Sequence, residues 1–505
     1  MKVKVQLVQM LAFSVAALAV FAAQAGDFMD TRLSFVLSEN NFMAGPGETP
    51  INSPGLGIGA DKSNTLFFDN YETKFSGFET LGNLVLSKKM PSFFPNLTTE
   101  ASLVVRLLVK NEKETQIVDS GSFIQLSYDL PRLGDKSNLQ LVLFPISGDR
   151  LRLGYSYKIS WGGSSVFPLN YGMVPAAKLQ LNLPWGYGFL GAKTTQVPEN
   201  VGDTEQMELV TNYGTLGGFG VDLRGFRAEI NGGIFTRGTF AHQGVRGEQS
   251  SASGISYQVG YHKGIEIGTS IDFALYRNDP TRESSFFKPE TYNTGISYVI
   301  KHEGSFLFQT LENPDQYATT VAQPAQAFDV NFALKWGYSR LYLDALYRTL
   351  SFILFDVPSF VSYQDFPKEA KVEAEKFVAV GVDHHFPRLR LTPGLKFGMQ
   401  WPATYYIDNL NIGGALFPGR RTVVVYDTAM RSVLPASHKA EPITSLKGNL
   451  KWDLSEMLSV ILEVFYSYDN NQTRYTSDTQ GMNVVNVKFV DPNILGMNLA
   501  AQARF

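Results

Sequence analysis

The sequence predicts an all-β chain, a transmembrane antiparallel β-barrel of about 16 to 20 strands. Three observations predict it. Apolar and polar residues alternate with period two over long stretches along the chain. No run of about 18 apolar residues exists outside the N-terminus, which excludes helical membrane spans. Aromatic rings fall near the ends of the alternating stretches, as expected where amphipathic rings settle at the headgroup depth of a bilayer.

The first element is an export signal. Lys2 and Lys4 form a positive start, Leu11–Phe21 is an apolar run, and Ala23-Gln24-Ala25 fits a small-x-small cleavage site before Gly26. Residues 1–25 therefore read as a signal peptide. Residues 26–70 form an N-terminal segment, partly loop or lumen insert. Its stretch Ala44–Ala60 is too rich in proline and glycine to be a membrane strand. Residues 71–505 read as the barrel.

Within the barrel, 388–401 is the clearest strand. Leu389, Leu391, Pro393, Leu395, Phe397, Met399 and Trp401 alternate with Arg388, Arg390, Thr392, Gly394, Lys396, Gly398 and Gln400. Only an extended chain sends alternate side chains to opposite faces. The same reading applies to 150–161, where Leu151, Leu153, Tyr155, Tyr157, Ile159 and Trp161 would face lipid. Segments 328–338, 446–454 and 458–468 repeat the pattern. These strands exceed the five or six residues usual in soluble sandwiches.

Tight turns are expected at Ile146–Asp149, Pro184-Trp185, Lys263-Gly264, His302–Gly304, Gly337, Pro387 and Leu454–Glu456. Long connections are expected at 237–251, 277–289, 351–371, 402–441 and 470–494, among others. A barrel with short turns at one end and long loops at the other places the short turns in the periplasm.

The chain ends Gly496-Met497-Asn498-Leu499-Ala500-Ala501-Gln502-Ala503-Arg504-Phe505, with Met497, Leu499, Ala501, Ala503 and Phe505 on one face. This resembles the terminal β-signal of bacterial outer-membrane β-barrel proteins of the porin-like kind. Ala503 departs from the pattern, which commonly has an aromatic there. The resemblance implies an integral place in the outer membrane of a Gram-negative cell. It also implies contact with outer-membrane lipids and lipopolysaccharide, and recognition of Phe505 by the barrel assembly machinery.

Composition narrows the chemistry. The 505 residues carry 44 Lys+Arg against 47 Asp+Glu, so the basic footprint of a nucleic-acid binder is absent. There is no cysteine, which excludes disulfides and thiolate chemistry. No nucleophile elbow, phosphate loop or metal-ligand spacing occurs, so neither an enzyme nor a cofactor or metal is expected. The chemistry-bearing residues are those placed on the polar face of the strands. The basic lumen-lining candidates are Arg150, Arg152, Lys158, Lys335, Arg340, Arg348, Arg388, Arg390 and Lys396. The acidic ones are Asp329, Asp344, Asp453 and Glu463. In a water-filled pore they would shape the field met by a solute. The expected function is a channel for small hydrophilic solutes. The alternative is a structural or docking barrel with protein partners in the cell envelope.

Overall fold

The computed structural model describes residues 30–39, 41, 43, 56–58, 83–111, 114–119, 121–135, 137–154, 159–163, 173–200, 207–240, 245–264, 292, 295–355, 366–406, 409–412, 415–424, 431–435, 437–477 and 484–504. They form a closed antiparallel barrel of 18 strands. In chain order the first nine are β1 (Asp30–Glu39), β2 (Asn83–Pro91), β3 (Leu97–Asn111), β4 (Glu114–Asp119 continued by Phe123–Asp129), β5 (Asn138–Phe144), β6 (Ala176–Leu183), β7 (Gly186–Asn200), β8 (Met207–Leu223) and β9 (Phe226–Thr239). The others are β10 (Gln249–Lys263), β11 (Ile296–Glu312), β12 (Thr320–Trp336), β13 (Ser339–Arg348), β14 (Glu375–His384), β15 (Leu391–Trp401), β16 (Ile443–Asp453), β17 (Leu458–Tyr468) and β18 (Asn493–Arg504). One short helix, α1 (Leu350–Phe355), follows β13.

Closure comes from the first and last strands. β1 pairs with β18 from Arg32↔Arg504 to Glu39↔Met497, and its other edge pairs with β2. The barrel thus begins at Asp30, inside the segment that the sequence set apart as 26–70. Its ten residues supply the even strand count that closure of such a barrel requires. Of Ala44–Ala60, Leu56–Ile58 is described, and it continues the line of β2 along Leu37–Glu39.

The two faces are chemically opposite. On β15, Leu395 and Phe397 are about half exposed on the outside, while Lys396 and Gln400 are buried inside. Val378, Val380 and Val382 on β14, and Leu462, Val464 and Tyr466 on β17, share the outer face. A lysine on the hydrocarbon side would cost about 2–4 kcal/mol near midplane, so period two fixes which face turns outward.

Several sequence expectations are corrected. His302–Gly304 is no turn but lies within β11, which runs unbroken through 17 residues. Gly304 is there because the ring of Tyr257 on β10 lies over it; a Cβ would come within 2.4 Å of that ring. The connection 264–295 leaves β10 and enters β11 at the short-turn end. Residues 277–289, expected at the long-loop end, lie outside the described residues, but the strands that flank them finish at the opposite end. Arg388 and Arg390 are exposed in the turn before β15, and Arg390 has a positive φ of 54°. They do not line the lumen, because the strand starts at Leu391 and the alternation upstream of it belongs to the turn.

The largest correction concerns 150–161. It is not a barrel strand. Its described residues, 150–154 and 159–161, belong to the connection between β5 and β6 and pack inside the barrel. Leu151 and Leu153 are as buried as Arg150 and Arg152. A segment covered on both faces is surrounded by protein. Alternation reports an extended chain between an apolar and a polar environment, and an apolar patch on the inner wall serves as well as lipid.

Candidate functional site

The inward-folded segment has a defined path. Gly154 and Gly162 take positive φ of 91° and 82°, which only glycine adopts without strain. Each follows one member of a pair, Leu153 and Trp161, that exchange both backbone hydrogen bonds at 2.9 Å. Leu151, Leu153, Ile159 and Trp161 then join a single buried cluster with inward residues of the wall, among them Leu216, Phe235, Ala252, Leu307, Ala325, Ala327 and Leu346. The alanines on β10 and β12 leave room for the segment. Each large apolar side chain so buried contributes about 1.5–3 kcal/mol.

Polar contacts fix the segment in register. The Trp161 indole meets Phe235 edge-on at 5.7 Å, and its Nε1 donates to Ser256 Oγ at 2.7 Å. Ser256 and Ser305 share a hydrogen bond, and Ser305 Oγ donates to the Ile159 carbonyl at 2.9 Å. From β7, Lys193 Nζ donates to the carbonyls of Gly148 at 2.9 Å and Gly162 at 2.5 Å. One side chain of the wall therefore ties the entry of the insertion, at Gly148, to Gly162, the residue after Trp161.

Helix α1 meets the insertion from the long-loop end. Phe352 and Phe355 enter the same cluster, with Phe355 edge-on to Trp161 at 6.4 Å. Arg237 of β9 lies over the Phe355 ring at 5.1 Å and donates through Nη1 to Gln309 Oε1 at 3.0 Å. Gln309 in turn donates to Gln323 Oε1 at 2.6 Å. Tryptophan, phenylalanine, arginine and two glutamines thus converge inside the barrel.

The residues singled out by sequence divide into four groups. Arg150 and Arg152 sit on the inserted segment, Arg150 packed against Gly121 and Arg152 paired with Asp149 at 3.5 Å. Asp329, Lys335, Arg340, Asp344, Arg348, Lys396, Asp453 and Glu463 are on the inner face of strands. Arg388 and Arg390 are in a turn. Lys158 and Phe505 lie outside the described residues.

Most inward charges are brought together with a partner of opposite sign. Arg348 and Glu375 form a buried fork, Nε to Oε1 at 3.0 Å and Nη2 to Oε2 at 3.3 Å, and Gln400 also donates to Glu375. Arg340 Nε donates to both oxygens of Asp383, which also accepts from Tyr342. Lys447 pairs with Glu463 at 2.9 Å, and Asn498 donates to the same carboxylate. Lys451 reaches Asp453 at 3.2 Å. Lys335 lies over the Tyr292 ring at 4.4 Å near the short-turn end.

Sequence reading missed Lys193, Arg237, Glu375, Asp383 and Lys447. It also missed the group on β7 and β9 in which Tyr187 donates to Glu229, with Asn231 as a second donor. The signal existed. Arg227, Glu229 and Asn231 alternate with Ala228, Ile230 and Gly232. Small outward residues made that apolar stripe weak, so the polar stripe went unread.

No protein-family model matches the chain, and no curated protein sequence matches it. Solved structures that resemble it include OccK9 (OpdG) of Pseudomonas aeruginosa, at 8% identity over 95% of this chain and 99% of that one, with a TM-score of 0.45. OccK2 (OpdF) of the same organism has 8% identity over 95% and 98% of the two chains, with a TM-score of 0.42. Outer-membrane expressed OmpT of Vibrio cholerae has 9% identity over 94% and 97%, with a TM-score of 0.34.

Proposed function

We propose that this protein is an integral outer-membrane channel that passes small hydrophilic solutes through a lumen narrowed by helix α1 and by the inserted segment that carries Leu151, Leu153, Ile159 and Trp161. One observation carries the reading: a closed barrel turns an apolar face outward and a charged face inward, and it folds a connecting segment into its own interior. An 18-strand barrel is wide enough to enclose a water channel. An insertion that crosses it narrows the passage, with Trp161, Phe355 and Arg237 buried in its packing. The inner wall there offers hydrogen-bond donors and acceptors of both charge signs, which suits solutes that shed part of their hydration shell.

Single-channel recording in planar bilayers tests this. Discrete conductance steps are expected from the folded protein, with a size limit for neutral sugars well below that of an unobstructed 18-strand pore. Folded protein that gives no steps in any salt overturns the reading.

A second reading is a docking barrel of an envelope assembly. It draws on the folded β-structure at the long-loop end, where Lys371–Glu373, Ala403–Tyr406, Arg421–Val424 and Arg431–Val433 pair into one small sheet. Native-gel migration after mild detergent extraction separates the two. A stable larger complex supports docking, and migration as an isolated barrel counts against it.

A further inference from the structure

Helix α1 has six residues and is buried on two sides against two different structures. Phe352 and Phe355 belong to the lumen cluster built around Trp161. Leu350 and Ile353 belong to a separate cluster with Ala403 and Val424, against which Leu354, Phe366 and Tyr405 also pack. Ala403 and Val424 are direct partners in the small sheet at the long-loop end. That sheet is held by its own polar contacts. Arg421 pairs with Glu373 at 3.0 Å, and Thr404 donates to the same carboxylate at 2.7 Å. The last long loop is tied to it through Thr473, whose Oγ1 donates to the Val433 carbonyl at 2.8 Å. At its start the helix is pinned to the wall, because the Thr349 amide donates to the Gln326 carbonyl and the Gln326 amide to Thr349 Oγ1.

A helix of this length has no stability of its own in water. Its hydrogen bonds persist only because both faces are packed, so loss of one packing surface weakens the other. Interiors at native density do not compress to absorb a shift. A displacement of the outer sheet therefore has two outcomes. Either the helix follows it, pivoting near Thr349, or the contact at Ile353 opens and the helix frays. Both loosen Phe355 from Trp161.

We propose that α1 couples the outer sheet to the inserted segment, so that whatever moves or holds that sheet from outside the cell sets the width of the passage. Its effect on flow rests on the channel reading above. The coupling itself is a property of the packing and is measurable without conduction.

The test uses Val424→Ala in the outer sheet, Phe355→Ala on the lumen side, and the double variant, all as full-length barrels checked for folding by heat-modifiable migration. The readout is amide hydrogen exchange at Leu153 and Trp161, which bond to each other across the insertion. Val424→Ala is expected to speed exchange at these amides by about ten-fold, within the usual span of coupling between two sites. The double variant should exceed Phe355→Ala alone by much less than the product of the two effects. Coupling in both directions also requires Phe355→Ala to speed exchange at Val423 and Val424, and this arm stands even where Val424→Ala fails to fold. Unchanged exchange at Leu153 and Trp161 in Val424→Ala, or at the sheet amides in Phe355→Ala, overturns the coupling. Coupled exchange in a barrel that never conducts sinks the channel reading and leaves the coupling intact.

Discussion

Lys193 reaches from the barrel wall to the carbonyl of Gly162, donating at 2.5 Å just beyond the Leu153–Trp161 pairing of the inserted chain. The same nitrogen holds Gly148 at the segment's entry. Replacement of Lys193 by Met keeps the length of the side chain and removes both bonds. The Gly162 carbonyl loses this donor, at about 1–3 kcal/mol, while Gly148 keeps the Leu151 amide at 3.0 Å. The expected outcome is a barrel that still folds but conducts in larger, noisier steps, because the insertion no longer has a fixed end. Bilayer recordings with the parent's conductance and noise would show that Lys193 does not position the segment.

The two faces of β15 give a direct test of register. Leu395→Arg puts a charge on the outer face, at about 2–4 kcal/mol near midplane, and should fold poorly into lipid vesicles. Lys396→Leu removes an inward charge and should be far milder. Equal folding yields for both variants would mean that neither side chain meets hydrocarbon. A one-residue slip would exchange the two outcomes, since it exchanges every side chain between faces.

Arg348 and Glu375 form a deeply buried charge pair on the inner face of the barrel, both 1% exposed. Removing one partner, as in Arg348→Met or Glu375→Leu, is expected to cost about 3–5 kcal/mol, because the other group stays buried among fewer partners. Arg348→Met combined with Glu375→Leu should recover much of that loss. The recovery falls short of full because Gln400 Nε2 loses its acceptor. Urea titrations of the vesicle-folded barrels measure the cycle, and additive losses would show that the pair acts as two independent groups.

Asp469, at the start of the loop after β17, has its pKa raised to about 6 by burial, a shift only partly opposed by the bonds it accepts from Asn471. An unfolded aspartate titrates near 4. The folded loop therefore holds a proton that the unfolded loop has released. Its contribution to stability is complete below about pH 4 and is lost as pH rises through about 6. Amides of 469–473 should exchange more slowly, relative to their intrinsic rates, at pH 5 than at pH 7. In Asp469→Asn that difference should vanish. A loop better protected at pH 7 in the parent would reverse the sign.

Orientation follows from single cysteines, since the chain has none of its own. An impermeant thiol reagent applied to intact cells should label Glu369→Cys, in the exposed connection after α1, and not Ser455→Cys, in the exposed turn between β16 and β17. The opposite pattern would place the short turns outside the cell.

The architecture and the facing of many strands are legible in the residue pattern alone. Leu395 and Lys396 are neighbours in the chain and cannot share an environment, because a strand sends them to opposite sides. Repeated over long strands, that rule specifies a barrel with an apolar outside. The terminal pairing of β1 with β18 was less legible, since Leu33–Leu37 is short and stands apart from the other strands by a long connection. Where an extended segment goes once it leaves the wall is set by packing between distant parts of the chain. Leu151, Leu153, Ile159 and Trp161 carry the same alternation as a lipid-facing strand, yet they pack against Phe235 and the alanines of the inner wall. Period two records that one face avoids water. It does not record whether hydrocarbon or protein covers that face, and that depends on side chains of β9 to β13, more than sixty residues downstream in the chain.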